Sequence, residues 1–201
     1  MSTSEFLDEQ MQTPPDGLYK GGLLKIMKDL FFNNNKDDNL PCEIQEGLFL
    51  GSIGAAYNKG ELLRHKVTHI LSVENMVEPL YPLEFKYKRV EVRDSAYVDL
   101  RQYFEECFEF IDEAKKNGGA VLVHCFLGRS RSVTIVIAYL MKTYGMNFKE
   151  AFDVVRKKRP QASPNPGFCS QLSRFEKQLL ETHDTLHREE SFEKDQIVKT
   201  C

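Results

Sequence analysis

The side chains best suited to chemistry lie in one polar stretch, HCFLGRSRS at residues 124–132. The stretch joins two apolar runs, 120–123 and 133–141, and a polar loop between apolar elements is typical of a site held by a rigid scaffold. Cys125 is a potential nucleophile, and the planar guanidinium of Arg131 can bind two oxygens of a phosphate group. The stretch therefore predicts a site that binds a phosphate ester and attacks it.

The spacing of Cys125 and Arg131 also predicts how the loop binds an anion. A loop of this length, followed by a helix, can curl until its backbone N–H groups converge on one point, where the helix N-terminus adds partial positive charge. Gly128 allows the tight turn that this curl needs. A cysteine at the base of such a loop is stabilised as the thiolate, its nucleophilic form. The other substrate-binding positions of the loop are Phe126, Leu127, Arg129 and Ser130.

Three further side chains are predicted to act in catalysis. His124 would bond to nearby backbone and support the thiolate, and Ser132 would stabilise the thiolate as it departs from phosphorus. The leaving group needs a proton, and Asp94, just after a predicted strand, is the candidate acid. The competing carboxylate is Asp99, whose place before a helical pattern predicts a helix cap instead. Attack on phosphorus and hydrolysis of the resulting phosphocysteine require neither a metal nor a cofactor.

The elements that must position these residues alternate along the chain. Four segments rich in branched or aromatic residues, each bounded by turn residues, predict strands. They are Glu46–Leu50, Val67–Val73, Lys86–Val92 and Ala120–Val123. Strands that alternate with helical patterns predict a single α/β domain with a largely parallel central sheet flanked by helices. Ligands of such sheets bind beyond the carboxyl ends of the strands, which is where His124 and Cys125 lie.

Helix boundaries are predicted from the spacing of apolar residues and from capping signals. A helix is expected over Asp99–Asn117, with a capping box formed by Asp99 and Gln102 and a stop at Gly118. Asn147 predicts the start of a second helix, and Pro166 predicts the first residue of the last one. These helices provide the apolar faces that cover the predicted sheet.

Composition predicts the boundaries of the domain. Residues 1–17 have too little apolar surface to fold, so they predict a disordered tail. Residues 18–39 predict a basic amphipathic helix followed by a polar linker, and residues 182–201 predict a charged C-terminal tail. The folded domain would occupy residues 40–181.

The overall composition excludes several classes of function. A formal net charge of −3 and a pI near 6.0 argue against a nucleic-acid-binding protein. The longest apolar run, 133–141, is far shorter than the about 20 residues that cross a bilayer, so no membrane partner is expected. Five separated cysteines without a secretory signal predict a reducing compartment. The expected location is the cytoplasm, with the nucleus as a second candidate.

Two basic segments allow more than one interpretation. In residues 18–32, apolar residues at helical spacing alternate with lysines, as in helices that dock into the groove of calmodulin. The same segment could instead pack on the domain as an N-terminal helix. The run Arg156–Arg159 is a candidate docking patch for an acidic partner or a nuclear import signal. It is more simply explained as basic residues favoured by the dipole at a helix C-terminus.

The loop sequence, read as His124-Cys125-x-x-Gly128-x-Ser130-Arg131-Ser132, resembles the signature of the dual-specificity protein phosphatases, within the cysteine-based phosphatase superfamily. The resemblance covers residues 43–180, and its supporting segments are 47–52, 67–71 and 162–168. The pattern is most similar to the small plant-type members that act on MAP kinases. One departure is Leu127, where many members have alanine.

The resemblance implies the fold of the cysteine-based phosphatases and a role for each matching position. Cys125 corresponds to the nucleophile, Arg131 to the phosphate clamp, Ser132 to the helper of the second step and Asp94 to the general acid and then base. The implied substrates are phosphotyrosine and phosphoserine or phosphothreonine on proteins, with MAP kinases as the expected partners.

The sequence leaves two alternatives to this function. A phosphatase of the same fold could act on phosphoinositides, glucan or RNA, but the residues around Gly128 usually differ in those enzymes. A non-catalytic phosphoprotein-binding module commonly lacks the nucleophile, and Cys125 is present here. The sequence therefore favours a protein phosphatase.

Overall fold

The computed structural model of this protein describes residues 38–75 and 78–199. The predicted tail at 1–17 and the basic segment at 18–32 lie outside the described residues, so both stay predictions, as does calmodulin binding. No helix in the described part of the chain is long and apolar enough to cross a membrane.

Five strands of the described residues form one sheet: Cys42–Gln45 (β1), Leu48–Gly51 (β2), Val67–Ser72 (β3), Lys86–Arg89 (β4) and Ala120–His124 (β5). Their order across the sheet is β1-β2-β5-β3-β4. All neighbours pair in parallel except β1, which is antiparallel to β2 at one edge. The strand β5 is therefore the central one, and its apolar residues are fully buried, as expected when helices cover both faces of a parallel sheet.

Six α-helices of the described residues surround the sheet: Ile53–Tyr57 (α1), Lys59–Arg64 (α2), Phe104–Lys116 (α3), Arg131–Tyr144 (α4), Phe148–Lys158 (α5) and Pro166–Lys199 (α6). Asn147 forms a capping box with Glu150 at the start of α5, as predicted. Pro166 is the first residue of α6, where its missing N–H costs no helical hydrogen bond. The helix α6 continues to Lys199, so most of the segment predicted as a charged tail is helical.

Side chains alternate between the two faces of the sheet along each strand, and on β5 both faces are buried. On β5, Val121 and Val123 belong to the large apolar cluster that includes residues of α3 to α6. Leu122, which points to the opposite face, is also fully buried there, and α1 and α2 contact the strands on their side. The packing fixes β5 from both sides, and so fixes the position of the loop that follows it.

The predicted fold class is confirmed, with differences at the level of single elements. The strand β1 and the short helices α1 and α2 were not predicted, because each is too short to show a clear period. The strand predicted over 86–92 ends at Arg89. These differences leave the central strand and the loop after it where the sequence predicts them.

The predicted start of the helix at Asp99 is wrong. The chain first makes a 3-10 turn over Arg101–Tyr103, and α3 begins at Phe104. The expected capping box does not form, because Gln102 Nε2 donates to the Asp99 carbonyl oxygen at 2.8 Å. Asp99 still caps the turn, since its carboxylate accepts a hydrogen bond from the Arg101 amide at 3.1 Å. In the tighter 3-10 turn, Asp99 lies outside the α-helix.

Two residues assigned to the polar linker bond to the domain. The Ser52 hydroxyl donates to the Asp38 carbonyl oxygen at 2.8 Å. The Asn58 side chain donates to the Asn39 carbonyl oxygen at 3.1 Å. Contacts with the domain therefore begin by Asp38, two residues before the predicted boundary.

The segment between β4 and α3, which contains Asp94, packs on the first turns of α6. Gln171 accepts a hydrogen bond from the Leu100 amide at 2.8 Å and donates one to the Val98 carbonyl oxygen at 2.7 Å. Gly167 lies so close to this segment that an added Cβ would be 2.1 Å from the Ala96 carbonyl oxygen. The start of α6 therefore fixes the course of the segment.

We expect Gly167→Ala to lower the free energy of unfolding by about 1–3 kcal/mol, because the added methyl group displaces backbone in a packed contact. Gly60→Ala is the matched control, since Gly60 lies in α2 and the nearest atom to an added Cβ there is Asn58 Oδ1 at 3.8 Å. The higher helix propensity of alanine should stabilise this control by up to about 1 kcal/mol. Urea unfolding followed by circular dichroism measures both, and equal stability of the two variants would contradict the close packing.

Candidate active site

Cys125 directly follows β5, so the central strand places it at the carboxyl edge of the sheet. Only 1% of the residue is exposed, so its thiol is buried. The Ser132 hydroxyl, in the first turn of α4, donates a hydrogen bond to Cys125 Sγ at 3.2 Å. The predicted nucleophile and the predicted helper of the second step are therefore in direct contact.

The backbone carbonyls of the loop are hydrogen-bonded to groups outside its centre. The Phe126 oxygen accepts from the Ile53 amide at 3.2 Å, and the Arg129 oxygen accepts from the Ser163 amide at 2.7 Å. The Ser130 oxygen accepts from the Thr134 amide at 2.9 Å within α4. Because a trans peptide unit points its C=O and its N–H in opposite directions, the next amide in each case is turned the other way. This anchoring of the carbonyls is what a loop with amides directed toward a common centre requires, and the convergence of the amides on an anion stays a prediction.

The remaining two carbonyls of the loop are held by Arg159, a residue that the sequence analysis did not assign to the site. Its Nε donates to the Gly128 oxygen at 2.6 Å, and its Nη2 donates to the Leu127 oxygen at 3.0 Å. The same Nη2 bonds Asp38 Oδ1 at 2.7 Å. Arg159 is 3% exposed. A partly buried ion pair therefore supports the loop through two of its carbonyl oxygens.

This position of Arg159 corrects the interpretation of the basic run at 156–159. The first three residues of the run, in the last turn of α5, are exposed, as expected for a basic helix C-terminus. Arg159 follows the helix and is buried, so it belongs to no exposed docking patch or import signal. The sequence gives no indication that Arg159 is buried, because the partners of Arg159, Gly128 and Asp38, are 31 and 121 residues away.

Gly128 is required by two features of the loop. Its φ is +61°, a left-handed conformation that side chains rarely adopt. An added Cβ would lie 2.3 Å from the Gly51 carbonyl oxygen and 2.6 Å from Arg159 Nη2. The loop therefore turns where β2 and the supporting guanidinium approach it most closely.

Arg131, the first residue of α4, is brought together with Asp94. Arg131 is 8% exposed, and its Nη1 donates to the Val92 carbonyl oxygen at 3.1 Å. Its Nε lies 3.8 Å from Asp94 Oδ2. The side chain of Asp94 is 37% exposed, so the carboxylate lies at the surface side of the loop. The predicted acid is therefore open to solvent, whereas the predicted nucleophile, Cys125, is buried.

Two polar side chains hold Asp94 in this position. The Ser130 hydroxyl and the Asn165 side-chain amide each donate to Asp94 Oδ1 at 2.8 Å. Asn165 also accepts a hydrogen bond from the Phe168 amide at 3.0 Å, which caps the start of α6. Asn165 was not predicted to belong to the site, although an asparagine just before a proline at the first helical position is an N-cap signal. Its second role, the hydrogen bond that it donates to Asp94, has no signal in the neighbouring sequence.

His124, the last residue of β5, lies behind the loop and is 4% exposed. Burial lowers the pKa of its imidazole to about 4, and the positive charge of Arg131 acts in the same direction. A hydrogen bond to the Cys125 backbone works against this shift of the pKa. At neutral pH the imidazole is therefore uncharged and bonded to the backbone of the cysteine, and its support of the thiolate stays a prediction.

Two other predicted loop residues have exposed side chains, so they contribute their backbone to the site. Leu127 is 45% exposed, and Arg129 is exposed as well. Asp99, the competing carboxylate, accepts a hydrogen bond from the Arg101 amide and makes no hydrogen bond to the loop within the described residues. Of the two carboxylates, Asp94 is the one that contacts the residues of the loop.

Comparison with known proteins places this geometry in a family. Residues 48–178 match the family model described as dual specificity phosphatase, catalytic domain. The chain is 54% identical over 144 residues to dual specificity protein phosphatase 1 of Arabidopsis thaliana, an alignment that covers 72% of this chain and 73% of that protein. It is 40% identical over 183 residues to MAP kinase phosphatase with leucine-rich repeats protein 3 of Dictyostelium discoideum, covering 82% of this chain and 21% of that protein.

The solved structures agree with the sequence matches. The crystal structure of human DUSP28 superposes with a TM-score of 0.67 at 38% identity, covering 70% of this chain and 95% of that one. The fold is shared over 95% of the solved DUSP28 chain, and the family model matches residues 48–178 of this chain. The chain belongs to the dual specificity phosphatase family and is a protein tyrosine/serine/threonine phosphatase.

Proposed function

We propose that this protein hydrolyses phosphotyrosine and phosphoserine or phosphothreonine on proteins through a phosphocysteine intermediate formed on Cys125. The observation that carries the proposal is the loop backbone, in which the five carbonyls of residues 126–130 are all bonded away from the centre. Inward amides, the start of α4 and the guanidinium of Arg131 supply the positive field that a bound phosphoryl group and a thiolate both need.

The proposed first step is in-line attack of the Cys125 thiolate on phosphorus. The S–P bond forms as the ester P–O bond breaks, and protonated Asp94 gives its proton to the departing oxygen. The charge on the three phosphoryl oxygens is met by the loop amides and by Arg131. The position of Asp94 above the loop, held by Ser130 and Asn165, supports its assignment as the acid.

The proposed second step hydrolyses the phosphocysteine. Water attacks phosphorus, Asp94 accepts a proton from that water, and the S–P bond breaks to release inorganic phosphate and the thiolate. The Ser132 hydroxyl, 3.2 Å from Cys125 Sγ, supports the proposal because it can donate a hydrogen bond to the departing sulfur anion.

MAP kinases are the proposed substrates. Support comes from the resemblance to plant-type members of the family and from the 40% identical Dictyostelium protein, whose name describes a MAP kinase phosphatase. The test is affinity capture from a phosphorylated lysate with the Cys125→Ser protein as a trap. Enrichment of phosphorylated MAP kinases over the same lysate treated with a phosphatase supports the proposal. Capture of phosphoinositides or of other phosphoproteins in their place contradicts it.

We expect Cys125→Ser to abolish turnover while it retains binding of phosphopeptides, because the loop amides and Arg131 remain in place. Hydrolysis of a phosphotyrosine peptide, followed by phosphate release, should fall by at least about 10³-fold. Binding of the same peptide is measured by calorimetry. Cys42→Ser is the control, since Cys42 lies in β1 and its thiol donates to the Lys158 carbonyl oxygen. Normal turnover by Cys125→Ser would refute the assignment of Cys125 as the nucleophile.

Asp94→Asn should lower kcat most for substrates with poor leaving groups, because these depend on proton donation. We expect a loss of about 10²- to 10⁴-fold with a phosphoserine peptide and a smaller loss with p-nitrophenyl phosphate. Asp99→Asn is the matched control, five positions along the same segment, and should keep kcat within about twofold. Steady-state kinetics on both substrates decide the assignment. An equal loss of kcat in Asp94→Asn and Asp99→Asn, or a loss that is the same for good and poor leaving groups, would argue against Asp94 as the acid.

Arg159→Lys should weaken phosphate binding although the positive charge is kept, because one ammonium group cannot reproduce the fork that holds Gly128, Leu127 and Asp38. We expect kcat/KM to fall by about 10- to 100-fold, with a weaker competitive inhibition by inorganic phosphate.

The control for this change is Arg156→Lys. Arg156 is in the same basic run but exposed, with its guanidinium 5.7 Å from the ring of Phe152. The control should match the wild type in kcat/KM and in inhibition by phosphate. If Arg159→Lys also matched the wild type, the buried guanidinium would not be what orients the loop.

A further inference from the structure

A small cavity lies behind the catalytic loop, on the side of the imidazole of His124. Its lining includes side chains from α1 (Tyr57), β3 (Ser72), β4 (Arg89) and β5 (His124). It has room for about one water molecule. Of the described residues that line the cavity, none belongs to the loop at 125–131.

Three buried polar atoms of this lining lack a hydrogen-bond partner in the described part of the protein. They are Tyr57 Oη, His124 Nδ1 and Arg89 Nε. Tyr57 is 7% exposed and His124 is 4% exposed. The other nitrogens of Arg89 are paired, Nη1 with Glu78 at 2.8 Å and Nη2 with Glu91 at 3.2 Å. Buried polar atoms without partners are strongly unfavourable, so three of them around one cavity indicate a shared partner.

The protonation states of the lining suit a water molecule as that partner. Burial raises the pKa of Tyr57 to about 12, and the neighbouring carboxylate of Glu74 acts in the same direction, so the hydroxyl keeps its proton. The imidazole of His124 is neutral at pH 7, so one ring nitrogen donates and the other accepts. The N–H of Arg89 can only donate. One water can accept from a donor and donate to an acceptor at the same time.

We propose that one ordered water in this cavity bridges the Tyr57 hydroxyl and His124 Nδ1, with Arg89 Nε as its third partner, and that Tyr57 is a positioning residue for the imidazole behind Cys125. The bridge fixes the orientation of the ring and which nitrogen carries its proton. His124 in turn bonds to the Cys125 backbone. Tyr57 thereby acts on Cys125 indirectly, through the water and the imidazole of His124. The effect on catalysis rests on the proposed function.

Tyr57→Phe tests the proposal, because it removes the hydroxyl and keeps the ring. We expect kcat to fall about tenfold, the effect of one positioning hydrogen bond. We also expect alkylation of Cys125 by iodoacetate to reach half of its maximal rate at a higher pH. Alkylation requires no phosphate substrate, so its pH profile reports on the positioning even if the proposed substrates fail. Unchanged kcat with an unchanged alkylation profile would overturn the proposal.

Tyr139→Phe is the matched control for the loss of a buried tyrosine hydroxyl. Tyr139 lies in α4, is 1% exposed, and donates to Asp112 Oδ1 at 2.7 Å. Its replacement should lower the melting temperature but leave kcat and the alkylation profile within about twofold of the wild type. Equal losses of activity in the two variants would assign the effect to stability and overturn the positioning role.

A crystal structure of the wild-type protein at high resolution provides a measurement that does not depend on a variant folding. A water within hydrogen-bond distance of Tyr57 Oη and His124 Nδ1 is the expected result. A cavity that is empty, or a water that contacts only one of the two, would overturn the bridge.

Discussion

The site depends on the outward anchoring of five consecutive carbonyl groups in the loop after β5. A free loop of this length would turn some of its peptide units either way, and each reversed unit would present a carbonyl oxygen to a bound phosphate and repel it. Here α1, α4, the segment before α6 and one buried arginine each hold part of the backbone. The amides are oriented before a phosphate binds, so little free energy is lost in reorganising the loop during binding and catalysis.

Arg159 shows how a charge far from the reacting atoms can serve this arrangement. A buried guanidinium is costly unless it is paired and hydrogen-bonded, and here Asp38 and two loop carbonyls satisfy it. The pair therefore joins the residues just before β1 to the phosphate-binding loop. It also explains how a chain with a net charge of −3 can build a local site for anions: the attraction comes from oriented backbone dipoles and a few placed arginines.

The two sides of the site are held by different parts of the fold. The sheet and α4 fix the loop with Cys125, while α6 fixes the segment with Asp94 through Gly167, Gln171 and Asn165. Ser130 connects the two sides, since it lies in the loop and donates to Asp94. The proposed acid and the proposed nucleophile are thus positioned by different elements, and the hydrogen bond from Ser130 to Asp94 joins the acid to the loop.

The amino-acid sequence by itself determined the fold class, the strand before the loop, the candidate catalytic loop and the candidate acid. These depend on patterns that are local in the chain, namely apolar runs, helix caps and the short spacing between Cys125 and Arg131. Only the tertiary structure decided that Arg159 supports the loop from outside, that Asn165 holds Asp94, and that Tyr57 and His124 line one cavity. Contacts of this kind join residues far apart in the chain, and a buried arginine has the same sequence appearance as an exposed one until packing removes it from water.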